Sequence, residues 1–170
     1  MSPIIQKMPQ KILAGFSFFG DPFHSHAGWT EANEIGRLWQ RLMTFLALPE
    51  NQSIKPTQSY EVLLQSHSTP QTGKFEVFVG YEVTDLKQIP VELCLKILPE
   101  SLYAVFTISG QQMHADHTIV DNWMTANGYQ QAFPFFAQRY DERFKGVDQL
   151  DDSVWDILTP IIRANSDDRA

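Results

Sequence analysis

Lys7-Met8-Pro9-Gln10-Lys11-Ile12-Leu13-Ala14-Gly15-Phe16-Ser17-Phe18-Phe19-Gly20 decides the fold, because its pattern returns ninety positions later in the segment from Ile97 to Gly110. Pro9, Ala14, Phe16 and Gly20 recur as Pro99, Ala104, Phe106 and Gly110, and Leu13, Ser17 and Phe18 are answered by Tyr103, Thr107 and Ile108. Downstream, Ile35-x-x-x-Trp39 recurs as Ile119-x-x-x-Trp123 at a slightly shorter offset. This is the pattern of a chain built twice from one unit. Two such units enclose a cleft where they meet, and that junction is where function is expected.

The elements follow from apolar periodicity. From Ile12 to Phe19 nearly every position is apolar, as in a strand covered on both faces, and Gly20-Asp21-Pro22 ends it. Thr30 is the expected N-cap of a helix with Glu31 and Glu34 in its first turn. Ile35, Leu38, Trp39, Leu42, Phe45 and Leu46 fall on one face, and the helix stops near Leu48-Pro49. Tyr60 to His67 and Phe75 to Val83, separated by a turn around Thr69 to Gly73, predict two strands. After Ile89-Pro90 and an extended connection from Val91 to Ile97, the order repeats. A strand covers Leu102 to Ile108, and a helix capped by Asp116 or Thr118 runs through Trp123 and Met124 to Asn127-Gly128. A third segment within Phe133 to Phe144 and a last over Val154 to Ile161 are strands. The predicted class is α+β: one domain over 1–170, a tandem repeat of two strand-helix-strand-strand units at about 3–85 and 97–162, and a polar tail at 163–170. An antiparallel sheet, pseudo-twofold symmetry and a ligand cleft between the units complete the expectation.

Composition narrows the function. A chain of 170 residues suits one domain or two small units sharing a core. Its 13 Lys and Arg against 20 Asp and Glu give a net charge of −7 with no basic cluster, which argues against direct nucleic-acid binding. No run approaches the roughly 20 apolar residues of a membrane span, the N-terminus lacks the pattern of a signal peptide, and the lone Cys94 has no disulfide partner. A cytoplasmic protein is expected. The 12 Phe, 5 Tyr and 4 Trp serve either as core or as walls of an apolar ligand cavity.

Catalytic and metal motifs do not emerge. There is no Gly-x-Ser-x-Gly elbow, phosphate loop or His-Glu-x-x-His helix. His24-x-His26 and His114-x-Asp116-His117 fall in loops after Gly20 and Gly110 and read as solvent-exposed, without a converging ligand set. Cys94 reads as structural. No catalytic residue, metal or cofactor is expected.

The second half reads Leu98-Pro99-Glu100-Ser101-Leu102-Tyr103-Ala104-Val105-Phe106-Thr107-Ile108-Ser109-Gly110, then Trp123-Met124-x-x-x-Gly128-Tyr129, Arg139-Tyr140-Asp141 and Ser153-x-x-Asp156-Ile157-x-x-Pro160-Ile161. This resembles the GyrI-like small-molecule-binding family, the AraC-type effector-binding domain. Its familiar run is a proline-led turn into Tyr-Ala-x-Phe-x-x-x-Gly, a helix ending Trp-Leu-x-x-x-Gly-Tyr, a Glu-x-Tyr strand and an Asp-Ile-x-x-Pro strand. The resemblance implies a stand-alone sensor or sequestering protein for a small planar aromatic ligand, neutral or cationic; the alternative is a protein-interaction module such as a gyrase modulator, with a regulator or gyrase as its partner.

It also implies site residues. Gln138 matches the ligand-facing strand position, where the family usually has an acidic residue, and an amide there offers hydrogen bonds but no charge. Phe136 and Tyr140 accompany it. Trp39 and Trp123, at matching places on the two helices, read either as core packing or as walls for a planar ligand with cation-π attraction. Tyr60, Phe78 and Tyr103 complete the set, on faces that depend on strand register. Glu61, Glu76 and Glu82 are expected on solvated faces. Some relatives resemble hydrolases that pair a tryptophan with a glutamate, and Gln138 in place of that glutamate argues for binding without turnover.

Overall fold

The structure is a computed structural model that describes residues 2–28, 30–113 and 118–164. Among the described residues nine strands occur: β1 (Ile4–Met8), β2 (Lys11–Gly20), β3 (Ser59–Leu64), β4 (Phe75–Glu82), β5 (Cys94–Leu98), β6 (Ser101–Ser109), β7 (Tyr129–Gln131), β8 (Phe135–Tyr140) and β9 (Val154–Arg163). Helix α1 (Glu34–Ala47) follows β2 and α4 (Ile119–Asn127) follows β6, with single turns at α2 (Thr69–Thr72) and α3 (Gly110–Met113). No helix among the described residues is long and apolar enough to cross a membrane.

All strands join one antiparallel sheet in the order β1-β6-β9-β8-β3-β4-β2-β5, with β7 beside β9. Each half contributes a strand to the other. β1 precedes β2 in the chain yet pairs with β6, and β5 precedes β6 yet pairs with β2. Pro9 and Pro99 stand in the two turns that make these crossings, which gives the matched prolines a topological reason. At the centre, β3 lies against β8 with Glu61 opposite Gln138.

The sheet has apolar residues on both faces, and each face carries buried clusters. Its inner face curls around Leu13, Tyr60, Val62, Phe78, Tyr103 and Leu158, and Met8 and Leu98 from the two border strands enter the same cluster. On its outer face α1 seats Leu38, Leu42 and Phe45 on Ala14, Phe16, Val77 and Val79, while α4 seats Met124 near Ala104, Phe106 and Trp155. Leu42 is fully buried, and its truncation to alanine is worth about 2–5 kcal/mol. The two helices therefore sit side by side on one face. Between them the β3/β8 seam is left uncovered.

Several boundaries differ from expectation for local reasons. The cap of α1 is Asn33, three residues after Thr30. Asn33 Oδ1 accepts from the Gly36 N–H at 3.0 Å while its Nδ2 donates to the Gly28 carbonyl at 2.8 Å. Thr30 instead closes the preceding turn by accepting from the Ala32 N–H. Thr118 precedes α4, Gly128 ends it at φ 70°, and Asp116 lies outside the described residues. The expected strand over Tyr60 to His67 stops at Leu64, since a hydrogen-bonded turn begins at Ser66. β1 and β7 were not foreseen. Both are short strands that rely on a neighbour from the opposite half or from β9.

Candidate functional site

The uncovered seam opens into a cavity of about 1570 Å³ that runs from α1 across β3 and β8 to α4. Ligand pockets typically span roughly 300–1,000 Å³, so there is room for a bulky multi-ring molecule. At its centre is a linked set of polar groups. Trp39 Nε1 on α1 donates to Glu61 Oε2 at 2.8 Å, and Gln138 Nε2 on β8 donates to Glu61 Oε1 at 3.1 Å. The Tyr140 hydroxyl donates to Gln138 Oε1 at 3.1 Å. Tyr140 sits edge-on to Trp39 at 5.1 Å and to Phe144 at 4.8 Å, forming an aromatic corner beside the carboxylate.

Glu61 is 5 % exposed, and among the described residues no basic side chain pairs with it. Burial raises its carboxyl to about 7, with the Trp39 N–H pulling the other way. Burial, and then the Glu61 charge, push the Tyr140 phenol well above its usual range, so it stays a neutral donor. The neighbouring Asp156 has a different environment. Arg139 and Arg143 donate to its Oδ2 at 2.7 and 2.8 Å and Thr107 to its Oδ1 at 2.8 Å, which outweighs burial and holds the carboxyl below its ordinary value. Charge on the inner face is thus neutralised within the protein, whereas the charge of Glu61 in the cavity is not.

Gln138, Phe136, Tyr140 and Trp39 of the expected set line this cavity. The other four lie elsewhere. Tyr60, Phe78 and Tyr103 pack in the inner core, with the Tyr60 hydroxyl on Gln58 Oε1 and that of Tyr103 on the Pro99 carbonyl. The two-residue period turns Tyr60 and Val62 inward whenever Glu61 and Leu63 face α1. Trp123 stacks on Tyr129 at 5.5 Å and meets Phe106 edge-on, outside the cavity lining, so the two helix tryptophans do not form a sandwich.

The missed residue is Glu61. It was expected in solvent, and burial is tolerated because two neutral N–H donors satisfy its oxygens. The available signal was its two-residue spacing from Leu63, which puts both side chains on one face of the strand. Glu76 and Glu82 remain partly exposed and pair with Lys96 and Lys11. Among the described residues no group of three His, Cys, Asp or Glu is placed to hold a metal. His24 and His26 are exposed, while His114 and His117 lie outside the described residues. Cys94 is exposed on β5 with its Sγ on the Gly15 carbonyl, away from the cavity.

A curled sheet carrying two helices on one face, with a roomy aromatic cavity between them, defines a small-molecule-binding module. The chain belongs to the family of the GyrI-like small molecule binding domain, whose model matches residues 1–162. No curated protein matches the chain by sequence. Among solved structures, SAV2435 bound to tetraphenylphosphonium is similar at TM-score 0.65 and 16 % identity over 95 % of this chain and 94 % of that one. The EcmrR C-terminal domain is similar at TM-score 0.59 and 12 % identity, over 95 % and 97 %. A hydrolase encoded by lin2189 from Listeria innocua is similar at 0.52 and 11 %, over 95 % and 92 %.

Proposed function

We propose that the chain reversibly binds an aromatic, largely apolar organic cation in the seam cavity, with Glu61 as its charge partner, for sensing or sequestration. The observation that carries this is a buried carboxylate in the cavity wall, held by neutral donors and matched by no basic side chain among the described residues. The other charged side chains lining the cavity add to it: Glu31, Asp121 and Glu142 against Lys145, with Asp141 already paired to Arg143. A cation about 4 Å from a carboxylate gains roughly 4 kcal/mol at an effective dielectric of about 20, before desolvation reduces the net gain. Trp39 and Tyr140 supply ring faces and edges for the apolar part, at roughly 25 cal/mol per Å² of apolar area covered.

The test is titration calorimetry with tetraphenylphosphonium at about pH 8. Wild-type binding with a roughly 10- to 100-fold loss in Glu61→Gln supports the reading. Equal affinity in the two proteins removes Glu61 from it, and no wild-type binding removes this class of cation. A second reading rests on the same side chain, since a carboxyl near neutrality is suited to general-base work. It requires that a reactive electrophile be consumed by wild type and left intact by Glu61→Gln. The binding reading requires that ligand be recovered unchanged.

A further inference from the structure

The groups facing Glu61 are uncharged or of its own sign. From α1 comes the Trp39 indole, and from β8 the Gln138 amide and the Tyr140 phenol; the Gln40 amide also lines the cavity but donates to Glu31. The Tyr81 phenol of β4 shares the face, and β9 contributes Ile157 and Thr159. Elsewhere on the lining, Glu31, Asp121 and Glu142 are acidic, and Asp141 is paired with Arg143. Lys145, the base among the described lining residues, donates to the Glu142 carbonyl at 2.7 Å. Nothing described in the cavity therefore neutralises Glu61 except a bound cation or a proton.

We infer that the cavity serves two ligand classes through one exchangeable proton: an organic cation when Glu61 is ionised, and a neutral molecule bearing a hydrogen-bond acceptor when Glu61 is protonated. This rests on the cavity being the binding site proposed above. When a cation enters the protonated site, the Glu61 O–H bond breaks, its electron pair stays on the carboxylate and the proton leaves to solvent. One positive charge replaces another, and the buried site keeps its net charge. When a neutral ligand enters, the O–H donates to its acceptor atom. The carboxyl oxygens still accept from Trp39 and Gln138, because a protonated acid retains acceptor capacity. With burial holding the carboxyl near neutrality, both forms are populated under ordinary conditions.

Opposite pH slopes for two probes of similar shape test this. Calorimetry with tetraphenylphosphonium and with neutral triphenylphosphine oxide is run from about pH 5.5 to 8.5 in two buffers of different ionisation enthalpy, which reports protons released or taken up. Cation affinity is expected to fall about tenfold per pH unit below neutrality with close to one proton released, and oxide affinity to fall at the same rate above neutrality with a proton taken up. Glu61→Gln should flatten both profiles. Trp39→Phe removes a donor that favours the ionised form, so both crossovers should move to higher pH, which keeps the test informative if Glu61→Gln folds poorly. Binding of the cation without proton release, or parallel slopes for the two probes, overturns this inference alone. Failure of both probes to bind at any pH overturns the cavity reading and this inference with it.

Discussion

Gln138 shows what an amide does that a carboxylate would not. It stands 3.1 Å from Glu61 and takes the Tyr140 proton donor on its other atom, so it links a phenol to an acid without adding charge. A carboxylate there would face a second one at hydrogen-bond distance, and the two could not both ionise. Glu61 also has a consequence for stability. Its carboxyl lies at about 7 in the folded chain against 4.5 for an ordinary glutamate. The folded state therefore holds the proton more tightly, and the stability this supplies is full below about pH 4.5 and lost as pH rises through about 7. The loss amounts to about 3 kcal/mol. Urea unfolding of wild type and Glu61→Gln at both ends of that window should show it as a difference between the proteins. The comparison cancels Asp141 and Asp156, whose lowered carboxyls act in the opposite direction.

Helix α1 holds one wall of the cavity, and Gly36 sets how closely the preceding loop approaches it. A Cβ at Gly36 would lie 2.2 Å from the Thr30 carbonyl and 2.5 Å from Glu31 Cα, and both residues line the cavity. Gly36→Ala is expected to cost about 1–3 kcal/mol in thermal or urea unfolding and to weaken tetraphenylphosphonium binding, because the loop must move away from the helix. Unchanged affinity would separate the loop from the site. The helix itself was legible from Leu38, Leu42 and Phe45, whose spacing allows one buried face. The strand faces were not. β3 and β4 are apolar on both sides, so alternation within Tyr60-Glu61-Val62-Leu63 gives two faces without saying which one meets α1. That choice depends on cross-strand register, a relation between distant segments. It leaves open, from the chain alone, which of Tyr60, Phe78 and Glu61 face α1, whereas the structure turns Glu61 toward Trp39 and Tyr60 and Phe78 into the inner cluster.

Apart from single turns, the first half of the molecule runs β1-β2-α1-β3-β4 and the second runs β5-β6-α4-β7-β8-β9, with one strand more, and the sheet joins them at β3 and β8. The two border strands carry a further consequence. β1 of the first half is seated on β6 and β5 of the second half on β2, each over five paired residues, with the chain crossing at Pro9 and Pro99. The halves are thus clasped at three places, and the exposed backbone around Thr84 to Lys87 is not one of them. Limited proteolysis there should leave two fragments that co-elute in gel filtration and still bind tetraphenylphosphonium. Either fragment made alone would lack its borrowed border strand and expose a raw sheet edge, so it should aggregate until its complement is added. What joins the halves is reciprocal strand exchange together with the β3/β8 pairing, so the peptide between them is expected to be dispensable once the clasp has closed.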